Sequence, residues 1–238
     1  MAAYPCRRTY EAYFPIPAWR NMTVQYIPAG RTDTGLIRSL NEDSILVDRT
    51  LNLLIVADGM GGHSTGEIAS QTAIRIIQQS VAAFAPDKPH EAKANLQYLA
   101  DCLAMANGHI HALNQSNGYP DGCGIDTTAV GCWLFTEEQK MLVFNIGDSR
   151  LYRLRNGQLQ QLSKDHSLLQ EWKDQGGNGP PPEANVILQA LGPYPEIAPE
   201  LQILSIEDDD RLLLCSDGLY GMLDDAVIAA SLARMNPQ

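Results

Sequence analysis

Residues 51–62 read Leu51-Asn52-Leu53-Leu54-Ile55-Val56-Ala57-Asp58-Gly59-Met60-Gly61-Gly62. An aliphatic run stops abruptly at an aspartate and a cluster of glycines. Residues 53–57 have the length and continuity of a strand buried on both faces. Asp58 falls where that strand runs out. Gly59, Gly61 and Gly62 permit a tight turn and a close backbone approach to whatever the carboxylate holds. A carboxylate in such a place is costly unless it is paired or binds a metal. No Lys or Arg stands between Arg49 and Arg75, so a metal ion is the natural partner and further ligands are to be sought elsewhere in the chain.

The chain has 238 residues, 45% of them apolar, which suits one large globular domain or two small ones. There are 17 basic residues against 28 acidic ones, a net charge of −11. So acidic a chain lacks the electrostatic footprint of a nucleic-acid binder. The five cysteines are Cys6, Cys102, Cys123, Cys132 and Cys215, an odd count with no CxxC pair. That argues against a disulfide framework or zinc ribbon and fits a reducing compartment. Arg7 and Arg8 are followed by no apolar signal core, and no segment approaches a membrane span. A cytoplasmic protein without membrane contact is expected.

Residues 1–21 hold three prolines and several aromatics and read as an N-terminal extension to a domain spanning 22–238. Residues 22–27 alternate as a strand does. Residues 44–47 and 51–57 are expected to form a hairpin. A helix opens at Thr65, with Ile68, Ala69, Ala73, Ile76, Ile77, Val81 and Phe84 on one stripe. A second follows Pro89, with Leu96, Leu99, Leu103, Ala106, Ile110 and Leu113 at spacings of three and four. Strands are expected at 127–135, 141–146 and 151–154, with a hairpin turn at Asn156-Gly157. Residues 165–173 look helical and 176–182 read as an exposed flap. The last strands are 201–205 and 211–215, the second running into Ser216-Asp217-Gly218. Asp224 would cap a terminal helix reaching Arg234. Regular β-α-β alternation is missing, so the expected class is α+β, with two mainly antiparallel sheets flanked by helices.

Three strand ends carry an aspartate beside glycine: Asp58-Gly59, Gly147-Asp148 and Asp217-Gly218. The acidic pair Glu42-Asp43 precedes another strand. A single Asp-Gly is ordinarily a turn, but two apolar strands running into one are harder to explain so. Side by side, their carboxylates would converge at one end of a sheet. All-oxygen ligation suits Mg²⁺ or Mn²⁺. Two such ions about 4 Å apart hold and deprotonate a bridging water, a logic used to hydrolyse phosphate esters. Arg38, with its fixed fork, is a candidate for binding phosphate oxygens. A nucleotide-cradling loop at 59–66 is excluded by the absence of Gly-Lys-Ser/Thr and of dinucleotide glycine spacing.

The ordered set of motifs resembles the PPM family, the metal-dependent type 2C serine/threonine protein phosphatases of bacterial type. It consists of Thr34-Gly-x-x-Arg38-x-x-Asn41-Glu42-Asp43, Asp58-Gly59-Met60-Gly61-Gly62-His63, Asp126-Thr-Thr-Ala129, Asn145-Ile-Gly147-Asp148-Ser149-Arg150, Asp165-His166-Ser167, Ala190-Leu-Gly192 and Ser216-Asp217-Gly218-Leu219. The resemblance implies a four-layer αββα sandwich with metals in the cleft between the sheets. It implies that Asp58 bridges two ions, that the Gly59 carbonyl binds one, and that Asp217 is a ligand. Asp148 with Asp217 would hold a looser third ion. Glu42 and Asp43 would act through metal-bound waters, and Arg38 would bind the substrate phosphate. The reaction implied is direct attack by activated water on phosphoserine or phosphothreonine in a protein, opposing a serine/threonine kinase. A monomer is expected.

Two departures from the family pattern bear on function. Its terminal Gly-x-x-Asp-Asn segment, whose aspartate is a metal ligand, has no match after Asp217. The domain is therefore expected to lack its C-terminal strand and last ligand motif, with reduced or absent activity. Eukaryotic members carry a histidine, a candidate general acid, where Met60 stands. His63 reads as a solvated turn residue, His166 as structural, and water as the proton source for the leaving oxygen. The alternative function is a metal-deficient relative that binds a phosphoprotein or regulatory partner without hydrolysing it. The short terminus favours that alternative, whereas Asp58, Asp148 and Asp217 favour the enzyme.

Overall fold

The computed structural model describes residues 24–36, 38–61, 65–83 and 91–234. The expectations for 1–21, Gly62, His63 and Phe84 lie outside the described residues.

The opening run folds as anticipated, into a hairpin of β1 (Asp43–Asp48) and β2 (Leu53–Met60). Asp58 lies within β2 rather than beyond it. Along β2, buried and half-buried residues alternate strictly, yet both sets are apolar up to Asp58. Leu53, Ile55 and Ala57 join the core under the helices, whereas Leu54 and Val56 pack into a second core. Asp58 continues the Leu54–Val56 face, so its carboxylate emerges on that second side.

The helices over the first side are α1 (Gly66–Ala82) and α2 (Leu96–Ser116), the latter entered through a 3₁₀ turn at Lys93–Asn95. Ala69, Ala73, Ile76, Ile77 and Val81 of α1 meet Leu99, Leu103, Ala106 and Ile110 of α2 in one cluster. Ile68, counted in the α1 stripe by spacing, is instead 50% exposed.

Four further strands complete the larger sheet: β3 (Asp126–Thr127), β4 (Ala129–Phe135), β5 (Lys140–Ile146) and, later, β8 (Glu200–Ser205). All of its pairs are antiparallel, in the order β1-β2-β4-β5-β8, with β3 paired to β2. The smaller sheet has β6 (Arg150–Arg155) between β7 (Gln158–Gln161) and β9 (Arg211–Cys215). Asn156 and Gly157 both adopt positive φ, 51° and 75°, as the two-residue turn joining β6 to β7 requires.

The two sheets enclose Val130, Cys132, Met141, Val143, Leu151 and Leu162. On the far face of the smaller sheet, Leu154 packs with Ile228 and Leu232 of α5 (Asp225–Arg234). Helices, sheet, sheet and helix are thus stacked as the αββα sandwich. Among the described residues no helix is long and apolar enough to cross a membrane.

Three expectations need correction. The apolar strands that run into Asp58 and Asp217 are not side by side in one sheet, because β2 belongs to the larger sheet and β9 to the smaller. Residues 24–27 are not a strand: Val24 N–H makes one backbone bond to Thr136 O at 3.2 Å. Their alternation instead buries Val24 and brings the Tyr26 hydroxyl to Asn52 Oδ1 at 2.6 Å. Residues 165–167 are not helical either: α3 (Leu168–Asp174) starts after Ser167, whose Oγ accepts from Gln170 N–H.

Candidate metal and phosphate site

The β1–β2 register places Asp43 directly opposite Asp58. Like charges at such positions repel and destabilise a sheet. The two carboxyls nevertheless stand close enough to act on one another's ionisation, and Asp217 acts on both. Asp217 is the first residue of the short helix α4 (Asp217–Tyr220), which follows β9. Ser216, just before it, donates through Oγ to Asp43 Oδ2 at 2.8 Å. Strands from both sheets therefore deliver their acids to one end of the cleft.

The backbone around Asp58 is held tightly. Its N–H donates to Thr128 Oγ1 at 3.0 Å, and its carbonyl accepts from Thr128 N–H and Thr127 Oγ1, each at 2.9 Å. Thr128 Oγ1 in turn meets Ser149 Oγ at 2.7 Å, beside Asp148. Gly59 can be no other residue. A Cβ there would lie 2.1 Å from the Gly66 carbonyl oxygen and 2.7 Å from that of Glu42. This contact seats the start of α1 against β2. Glu42 Oε1 accepts from Gly66 N–H at 3.1 Å, where a carboxylate is favoured by the helix dipole. Glu42 is thereby tied to α1 and is not among the groups acting on Asp58.

Burial is the largest force on these acids. It pushes Asp58 up to about 8, with Asp43, Asp217 and Asp148 adding repulsion. Asp43 is raised by burial against the bonds from Ser216 and Asp58. Asp148, only 6% exposed, is raised to about 6 by burial and then by Asp217 and Asp165. Arg38 is exposed and near enough to Asp43 to favour its ionised form. Among the described residues it makes no ion pair.

Among the described residues no three His, Cys, Asp or Glu side chains stand as a finished metal cage. The cleft carboxyls instead crowd one another, and each like charge disfavours ionisation of its neighbours. The donor set still fits a hard divalent cation. It is all oxygen, it is crowded with acid, and a bound cation would relieve the repulsion.

Residues 38–237 match the family described as protein phosphatase 2C. The chain belongs to that family. It is 38% identical over 210 residues to the serine/threonine protein phosphatase PstP of Mycobacterium tuberculosis, covering 86% of this chain and 38% of PstP. It therefore spans less than half of that relative's length. It is 33% identical to the serine/threonine phosphatase stp of Listeria monocytogenes, covering 82% of this chain and 78% of that one. The crystal structure of the PstP catalytic domain, in complex with two manganese ions, superposes with a TM-score of 0.73 at 34% identity, covering 86% of this chain and 83% of that one. PppA, described as a key regulatory component of T6SS in Pseudomonas aeruginosa, gives a TM-score of 0.74 at 31% identity, covering 86% and 83%.

Within this phosphatase 2C domain, the structure adds residues that spacing did not single out. Arg150 grips Asp165 with both arms, Nε to Oδ1 at 3.0 Å and an Nη to Oδ2 at 2.6 Å. Its guanidinium lies 3.7 Å from the centre of the Tyr220 ring. Tyr220 also favours the ionised form of Asp148. Arg150 thus joins the base of the flap to α4 underneath Asp148. Both partners stood in the sequence motifs, but which acid an arginine takes is decided by folding. His166 is structural as expected: Gly147 N–H donates to its Nδ1 at 3.3 Å, its own N–H donates to Gly147 O at 2.8 Å, and burial lowers its pKa. The buried thiols of Cys132 and Cys215 are both pushed up to about 12 by burial, so neither is a nucleophile at neutral pH.

Proposed function

We propose that residues 22–238 form a metal-dependent phosphatase domain, preceded by the extension 1–21, that hydrolyses phosphoserine and phosphothreonine in proteins. The observation that carries this is the Asp43–Asp58 register, with Asp217 converging on it from the smaller sheet and Asp148 from the turn that joins the two sheets. Asp58, Asp217 and the Gly59 carbonyl would hold two ions, Mn²⁺ or Mg²⁺, and Asp148 with Asp217 a third. Asp43 and Glu42 would act through water. When bound, the metals supply an activated water as nucleophile. Arg38, exposed and in no ion pair among the described residues, takes two phosphate oxygens and turns phosphorus toward the attacking water. The attack is direct, with no phosphorylated enzyme and no cysteine. The natural substrate is a phosphoprotein of the cytoplasm, modified by a serine/threonine kinase, and the domain acts as a monomer.

The test is phosphate release from phosphothreonine, phosphoserine and phosphotyrosine peptides with Mn²⁺, with Mg²⁺ and with chelator. Metal-dependent release from the first two, and little from the third, is the expected result. Release that persists in chelator would refute the reading.

A further inference from the structure

Asp126 is a half-buried acid with no place in the mechanism above. Its Oδ1 is shielded from solvent and has no hydrogen-bond partner. Among the described residues it makes no ion pair, and burial alone pushes it up to about 6. A shielded carboxyl oxygen without a partner costs stability, and the neighbouring fold spends several interactions on fixing the residue in position. Asn114 of α2 holds Ile125 at both ends, accepting from its N–H and donating to its carbonyl, each at 2.8 Å. On the other side, Thr127 exchanges backbone bonds with Leu191 at 3.1 and 2.9 Å.

Strand pairing fixes where the carboxyl stands. Asp126 is directly opposite Met60, and Thr127 opposite Gly59. Opposed residues in an antiparallel pair share a face, with Cβ atoms about 5 Å apart. Residues two apart along one strand also share a face, about 6.6 Å apart. Asp58 and Met60 are both on the half-buried face of β2. Asp126 therefore stands on the cleft face, one step along β2 and one step across from Asp58. Met60, between them, has no proton to give.

We propose that Asp126 is the acid that protonates the leaving seryl or threonyl oxygen. The assignment rests on the phosphatase reading. As the water oxygen bonds to phosphorus, the bond from phosphorus to the seryl oxygen breaks and its electron pair goes to that oxygen. The oxygen takes the Asp126 proton and leaves as a neutral hydroxyl. One proton of the water stays on the phosphate and the other passes to solvent. Asp126 recovers a proton from solvent, so the net change is one ester and one water converted to one alcohol and one hydrogen phosphate. An alkyl leaving group needs this proton. An aryl leaving group, stable as an anion, scarcely does.

Asp126→Asn is to be compared with the unsubstituted chain, in saturating Mn²⁺, on a phosphothreonine peptide and on p-nitrophenyl phosphate. Turnover of the peptide is expected to fall about 100-fold, and that of the aryl ester by a much smaller factor. Equal factors on both substrates, or no loss on the peptide, would overturn the assignment. Should the variant fail to fold, the pH profiles of the unsubstituted chain decide. Peptide turnover must fall above about pH 6 while aryl turnover does not share that limb, and a limb common to both overturns the assignment. An unsubstituted chain that turns over neither substrate refutes the phosphatase reading itself.

Discussion

Asp165 and Asp210 are gripped by arginines, whereas Asp43, Asp58 and Asp148 face one another. Arg150 and Arg155, the first and last residues of β6, each take one acid with both arms, at 2.6–3.1 Å and 2.6 Å respectively. The side chains of Asp165 and Asp210 are only 7% and 5% exposed, so the chain neutralises buried acids where their charge is to be silenced. Two residues before Arg150, Asp148 is as deeply buried and receives no such partner. Leaving the cleft acids without a two-armed arginine grip, while supplying one at both ends of the adjoining strand, leaves room for a cation from outside.

The largest expected effect comes from breaking the unpaired set. Asp58→Asn should lower metal-dependent turnover of an aryl phosphate by about 1,000-fold or more, roughly 4 kcal/mol of transition-state stabilisation. Asp210→Asn, in the paired set, should lose stability rather than chemistry, and steady-state kinetics beside thermal unfolding separate the two. Next in size is the loss of a gripping arginine. Arg150→Met leaves Asp165 buried and uncompensated and should cost about 3–5 kcal/mol in denaturant unfolding. Adding Asp165→Leu should recover much of that loss.

Asp126, with neither arginine nor fellow acid, sharpens the comparison through pH. Its folded pKa, about 6, lies above the ordinary value of 3.8. The folded state therefore holds a proton that the unfolded state releases between those values, and stability falls as pH rises from about 4 to about 6. Subtracting the unfolding curve of Asp126→Asn from that of the unsubstituted chain should show a decline of ~3 kcal/mol over that window and a plateau above it. A flat difference would mean that the carboxyl is solvated. The smallest effect belongs to the surface. The side chains of Arg31 and Asp33 are 86% and 67% exposed, and Arg31→Ala should change stability by less than about 0.5 kcal/mol.

Much of the sandwich was legible because its signals are local. The aliphatic run into Asp58, the Asn156-Gly157 turn and the spacing of Leu99, Leu103, Ala106 and Ile110 each report on their own segment. Convergence of Asp58 and Asp217 was legible only in part: both follow apolar runs that had to be buried, but nothing local says that those runs enter different sheets. What escaped depends on contacts across the fold. Nothing near Arg150 says that it takes Asp165 rather than Asp148, and nothing near Asp126 says that β3 sets it opposite Met60. The Glu42 carboxylate also resists a local reading, because its bond to the start of α1 exists only once Gly59 and Gly66 are packed together. Residues 24–27 show the reverse error, an alternation that serves burial of Val24 without a partner strand.

The most direct test of the contrast between paired and unpaired acids is calorimetric titration of Mn²⁺ into the unsubstituted chain, Asp58→Asn and Asp210→Asn. Binding should be severely weakened by Asp58→Asn and unaltered by Asp210→Asn. Equal Mn²⁺ affinity in the unsubstituted chain and Asp58→Asn would contradict the assignment of the cleft acids to a cation.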